Sequence, residues 1–124
     1  MPDRHLTNCE LEVMDVIWSQ GRVTVQDVVD ALTRPLAYTT VLTTARILDD
    51  KGIIRRCGKI GRAYVYEAII SREDVQRSMT DDLATRLYGG SVKSLVLSLL
   101  GGTNMTDTDM SELKAAIETL EADS

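Results

Sequence analysis

Residues 37–66, AYTTVLTTARILDDKGIIRRCGKIGRAYVY, narrow the possible folds more than any other stretch of the chain. A short threonine-rich helical run stops at Lys51 and Gly52, where glycine provides a left-handed helix end. Two β-prone runs, residues 53–59 and 62–68, flank a turn at Ile60 and Gly61, and Tyr64, Val65 and Tyr66 form the strand-favouring heart of the second. A helix able to enter a major groove, followed by a basic ribbon able to reach the flanking backbone, is the layout of a winged helix-turn-helix. The expected fold is mainly α with a small antiparallel β-wing, followed by a helical dimerisation region.

The flanking segments fit that layout. Thr7 and Glu10 predict a capping box that opens a helix ending near Ser19, with Leu11, Met14, Ile17 and Trp18 on its apolar face. Val23, Thr24 and Val25 predict a very short strand, and Thr24 with Asp27 caps a second helix that runs through Leu32. Arg34 and Pro35 break the chain, because proline disfavours helical geometry in the residue before it. The third helix then covers residues 38–51, with Val41, Ala45 and Leu48 along its inward stripe. Beyond the wing, Ser71 caps a fourth helix to Tyr88, Gly89 and Gly90 interrupt it, a fifth spans residues 91–100, and Thr106 caps a last one to Leu120. This order divides the chain into a DNA-binding domain, residues 1–70, and a dimerisation domain, residues 71–124.

A net charge of −5 looks wrong for a protein that binds a polyanion. Its distribution removes the difficulty. Residues 1–78 hold 11 basic and 11 acidic side chains, whereas residues 79–124 hold 3 and 8. Residues 51–62 carry five cations (Lys51, Arg55, Arg56, Lys59 and Arg62) and no carboxylate, so a local basic patch can meet phosphate while the acidic half lies elsewhere. No run approaches the roughly 18 apolar residues of a membrane span, and the N-terminus is too polar for a signal peptide, so the expected location is the cytoplasm. Cys9 and Cys57 fit neither a zinc pattern nor a disulfide framework, and no metal or cofactor is expected.

The candidate DNA-reading residues lie on the third helix and the wing. Thr39, Thr40 and Thr43 offer methyls and hydroxyls to thymine and phosphate, Leu42 suits a thymine methyl, and Arg46 can bond guanine in bidentate fashion. Threonine is a mediocre helix former, so this composition is a poor choice for stability alone. On the wing, Arg62 and Lys59 beside the glycine turn are placed for flanking phosphates. Arg55 and Arg56 point to opposite faces of the strand, so one of the two reaches DNA, and Arg55 is placed in the binding set. Tyr64, Tyr66 and Trp18 are expected to pack rather than to stack on bases.

A wing domain of about 70 residues closes its own core, which leaves the later apolar stripes in need of another partner. A twofold-related copy is the simplest one. The expected interface residues are Leu83, Leu87, Tyr88, Val92, Leu95, Val96, Leu99, Leu113, Ile117 and Leu120.

Taken together, Leu11-Glu12-Val13-Met14, Ile17-Trp18, Ala37 to Thr44, Lys51-Gly52, Gly61 to Tyr66, Leu87 to Ser91 and Val96-Leu97 resemble the penicillinase repressor family, relatives of the repressors of β-lactamase, methicillin-resistance and copper-transport genes. The resemblance covers most of the chain with its segments in order. It implies a homodimeric repressor whose winged helix binds one half of an inverted-repeat operator. Leu42 stands where some relatives carry a polar or basic residue, which bears on base preference. Copper-responsive relatives carry paired cysteines near the C-terminus; no Cys follows Cys57, which excludes a sensor of that type. In antibiotic-responsive relatives a membrane sensor-protease system triggers a cut, and the corresponding place here lies at Ser98 and Leu99, although the usual residue pair is not well matched.

The rival reading is a winged-helix interaction module that binds a sensor or transcription component instead of DNA, which the acidic C-terminal half would suit. An enzyme is not expected: one His, no nucleophile beside a base and no phosphate-binding glycine loop leave nothing to carry catalysis.

Overall fold

The computed structural model describes residues 5–102 and 104–122. Its elements run α1 (Asn8–Gln20), α2 (Val25–Ala31), α3 (Tyr38–Asp50), β1 (Ile54–Ile60), β2 (Ala63–Ala68), α4 (Arg72–Tyr88), α5 (Val92–Gly102) and α6 (Asp107–Ala122). The chain forms two compact units, Met1–Asp82 and Leu83–Ser124. The first extends past residue 70 because the opening turns of α4 place Val75 and Met79 against its core. Among the described residues, no helix is long and apolar enough to cross a membrane.

Side-chain caps set the starts of α1 and α2, whereas α3 begins after Ala37 without one. Thr7 Oγ1 accepts from the Glu10 N–H at 3.2 Å while the Glu10 carboxylate accepts from the Thr7 N–H at 3.0 Å, and Thr24 with Asp27 repeats the arrangement at α2. The end of α3 is a Schellman motif. Gly52 adopts φ +79°, its N–H bonds the Asp49 carbonyl, and the Ile53 N–H bonds the Leu48 carbonyl, both at 3.0 Å. Leu48 and Ile53, the two side chains this geometry brings together, are fully buried.

The core of the first unit is aliphatic. Val13, Met14 and Ile17 of α1 pack with Val28 of α2, Val41, Ala45 and Leu48 of α3, and Ile53, Ile54 and Tyr66 from the sheet side. Trp18 sits at its edge, half-buried, donating its indole N–H to the Ile70 carbonyl at 2.9 Å and carrying the Arg72 guanidinium over its ring at 5.1 Å. Val23 forms a single antiparallel bridge with Tyr66, which ties the loop before α2 to the foot of the wing.

The two strands pair antiparallel with Ile60 opposite Ala63, so the turn consists of Gly61 and Arg62, one residue later than expected. Gly61 adopts φ +63° and Arg62 a negative φ, the requirement of a type II′ hairpin. Arg62 thus stands at the tip itself. A bulge lies between Arg56 and Gly58, where the register shifts.

In the second unit, Gly89 and Gly90 both take positive φ, and the Gly90 N–H closes α4 on the Ala84 carbonyl. Ser91 caps α5 through the Ser94 N–H, and α5 runs through Gly101 and Gly102, past its expected end. Thr106 and Asp109 form a third capping box at α6, a helix with no buried residue.

Candidate nucleic-acid interface

Helix α3 presents three stripes. Val41, Thr44, Ala45 and Leu48 are buried. Thr39, Thr43, Arg46 and Asp50, spaced at four, three and four residues, form an exposed ridge with Thr40 and Ile47 beside it. Leu42, Arg46 and Asp49 turn toward the wing and line a groove with Arg56, Tyr64 and Tyr66.

The threonine hydroxyls are partly committed. Thr43 donates to the Thr39 carbonyl and Thr44 to the Thr40 carbonyl, each at 2.9 Å, so Thr43 faces outward with its methyl and a hydroxyl lone pair rather than a free donor. Leu42 is half-buried and packs on the core, so only its groove-facing edge is available to a thymine methyl.

Ion pairs sort the cations. Lys51 is not part of the basic patch: its ammonium lies 3.0 Å from Oε1 and 2.8 Å from Oε2 of the buried Glu10. Arg55 bonds Glu67 at 2.8 Å, and Arg22 shares that carboxylate at 3.3 Å. The Arg55 hydrogen bond, with the charges of both arginines, holds the Glu67 carboxyl below its ordinary pKa against the opposing effect of partial burial. Arg56 lies on the other face, in the α3 groove, 3.5 Å from Asp49. The structure therefore brings Arg56 to α3 and leaves Arg55 on the far side with Glu67. Alternation along the strand reveals that the two diverge but not which one meets the helix.

Arg46, Lys59 and Arg62 make no ion pair among the described residues, and they span the groove, the second half of β1 and the wing tip. Tyr64 departs from the expected packing role. It is 41% exposed, with the Arg56 guanidinium 4.8 Å and the Lys59 ammonium 4.6 Å from its ring centroid. Tyr66, on the same face but at the foot of the wing, is buried, and burial with the nearby Asp49 charge raises its phenol pKa. Two exposed apolar side chains had no sequence signal: Ile47 on α3, and Ile60 beside the wing tip. Among the described residues, no three His, Cys, Asp or Glu side chains gather into a metal site.

The second unit exposes a broad apolar surface. Leu83, Leu87, Val92, Val96, Leu99, Leu113, Ile117 and Leu120 are all exposed, Leu87 and Leu120 by more than two-thirds, and Leu97 and Met110 join them. Leu95 is already buried within the chain and Tyr88 is half-buried, its hydroxyl bonding Ser98 Oγ at 2.9 Å. Val96, Leu99, Met105, Met110, Leu113 and Ile117 line one apolar groove between α5 and α6. Ser98 and Leu99 both lie inside α5 and are exposed.

A family model described as penicillinase repressor matches residues 6–119. The penicillinase repressor of Bacillus licheniformis is 28% identical over 115 residues, covering 91% of this chain and 89% of that protein. The penicillinase repressor of Staphylococcus aureus is 27% identical over 111 residues, covering 88% and 87%. Among solved structures, the DNA-binding domain of the repressor BlaI superposes with a TM-score of 0.52 at 31% identity, covering 60% of this chain and 93% of that one.

Proposed function

We propose, since this chain belongs to the penicillinase repressor family, that it is a DNA-binding transcriptional repressor acting as a homodimer on an inverted-repeat operator. The observation that carries the reading is the placement of Arg46 and Arg56 in one groove beside a wing that bears Lys59 and, at its tip, Arg62, while other cations of the first unit are tied to Glu10, Glu12, Asp15 and Glu67. Helix α3 lies in the major groove, with Thr39, Thr40, Thr43 and Arg46 toward base edges and Leu42 at the margin. The wing holds flanking phosphates through Arg62 and Lys59. The exposed leucines and valines of the second unit form the dimer, whose two wing domains match the two half-sites. It works in the cytoplasm, where its operator is, and carries no catalytic activity. Release through a membrane sensor-protease system acts at Ser98 and Leu99, and because both are helical, α5 unwinds locally before it is cut.

Two substitutions separate base reading from phosphate holding. Arg46→Ala should cost about 1–3 kcal/mol on the operator and relax sequence preference. Arg62→Ala should weaken every duplex alike and reduce the slope of log K against log salt by about 0.9. Titrations on operator and random duplexes across a salt series read both effects. Equal loss of specificity in the two variants would refute this division of labour.

A further inference from the structure

Asp49 and Asp50 occupy the last turn of α3, where the partial negative charge of a helix C-terminus disfavours carboxylates. A lysine there would help both the helix and its attraction to DNA. The residues present break that local rule beside a surface that has to attract a polyanion, and a broken local rule is most often found where function compensates. Asp49 Oδ2 lies 3.5 Å from Arg56 Nε across the groove, and the same guanidinium rests on the Tyr64 ring beside Lys59.

Resting on the reading of this groove as the DNA surface, we propose that Asp49 is a positioning residue that holds Arg56 in the groove until a backbone phosphate displaces the carboxylate. The exchange is feasible because the pair is partly solvated, with the Arg56 side chain 52% and the Asp49 side chain 29% exposed. Such a pair is weak in water, whereas a phosphate offers the guanidinium two charged acceptors. Tyr64 keeps the guanidinium on the groove side during the exchange, since its π-face attracts the cation whether or not Asp49 does. Lys59 lies against the same ring, its ammonium 4.6 Å from the centroid, and adds a second cation to this part of the wing. A duplex gains the new bonds only when it is seated closely enough to take Arg56 from Asp49, so the cost of breaking the pair weakens binding to loosely docked, non-operator DNA.

The test is titration of the full-length protein with a labelled random-sequence duplex, comparing Asp49→Asn, Arg56→Gln, the double variant, and Asp49→Asn combined with Tyr64→Phe or Tyr64→Leu. Trp18 fluorescence melts establish that each variant is folded. Asp49→Asn should tighten binding by about two- to fivefold. At least half of that gain should disappear without Arg56, stay with Tyr64→Phe and diminish with Tyr64→Leu. If Asp49→Asn has no effect while the wild-type protein binds duplex, the proposal fails alone. If most of the gain persists in the Arg56→Gln background, Asp49 acts as a simple repulsive charge and the proposal is overturned. A folded wild-type protein that retains no duplex at low salt overturns the DNA reading and this proposal together.

Discussion

Leu113→Asp should yield a folded monomer whose operator affinity is lower by about a hundredfold or more. Leu113 is exposed on α6 and lines the apolar groove facing α5, so a carboxylate there is solvated in the isolated chain. In the proposed dimer the same carboxylate would be buried without a partner, which apolar surroundings do not tolerate. Operator binding then loses the second half-site, and joining two recognition units multiplies affinity by about 10²–10⁴ without any new contact. Binding of a single half-site should change little, because the wing domain is untouched. Sedimentation analysis gives the assembly state, and titrations on full and half operators give the two affinities. Leu113→Met, which keeps the apolar volume, should remain dimeric. A Leu113→Asp protein that is still dimeric with full affinity would place the interface elsewhere.

Glu10→Ala should destabilise the first unit by about 2–4 kcal/mol, a large part of the stability of a domain this size. The carboxylate is buried, receives the Lys51 ammonium at the end of α3 and the Thr7 N–H at the start of α1, and so joins two helices far apart in sequence. Removing it takes both close carboxylate contacts from the ammonium, which keeps the His5 carbonyl at 3.4 Å, and opens the capping box at once. Burial by itself would push the Glu10 carboxyl upward. The Lys51 hydrogen bond, the Thr7 backbone and hydroxyl bonds and the Lys51 charge outweigh burial, and the net shift is below its ordinary value of 4.5. A group lowered in the folded state contributes fully above its unfolded pKa, and that contribution is lost as the pH falls through the folded value. Wild type should therefore lose stability below about pH 4.5 along a slope that Glu10→Ala makes shallower, since Glu67 keeps its own share. Urea unfolding followed by Trp18, the one tryptophan in the chain, reads the first unit directly. A variant with unchanged midpoint would mean that the pair contributes nothing beyond its own desolvation.

These two cases also mark how far sequence reasoning reaches. The capping box at Thr7 and Glu10 is a local pattern with a fixed spacing, and it was readable. The Lys51 partner lies 41 residues away and has no local signature, so Lys51 reads as one more cation of the wing. On α3 the inward stripe of Val41, Ala45 and Leu48 follows from helical period alone. The groove stripe does not, because it depends on where the hairpin folds back. There the expected turn was one residue early, and in a strand a one-residue slip exchanges the faces. The true turn at Gly61 and Arg62, with the bulge after Arg56, puts Arg56 rather than Arg55 beside α3. Tyr64 and Tyr66 share a face, as alternation requires. Only distance from the core makes one a buried packing residue and the other a seat for two cations.

The groove and wing are expected to read a defined operator. The most direct test is to pass sheared DNA from the protein's source genome over the purified protein and sequence what is retained at rising salt. Enrichment of a few promoters that share an inverted repeat, lost in Arg46→Ala and lost at lower salt in Arg62→Ala, is the predicted result. Retention of bulk DNA with no shared sequence would contradict it, and retention of none at low salt by a folded protein would also favour a protein partner for the wing.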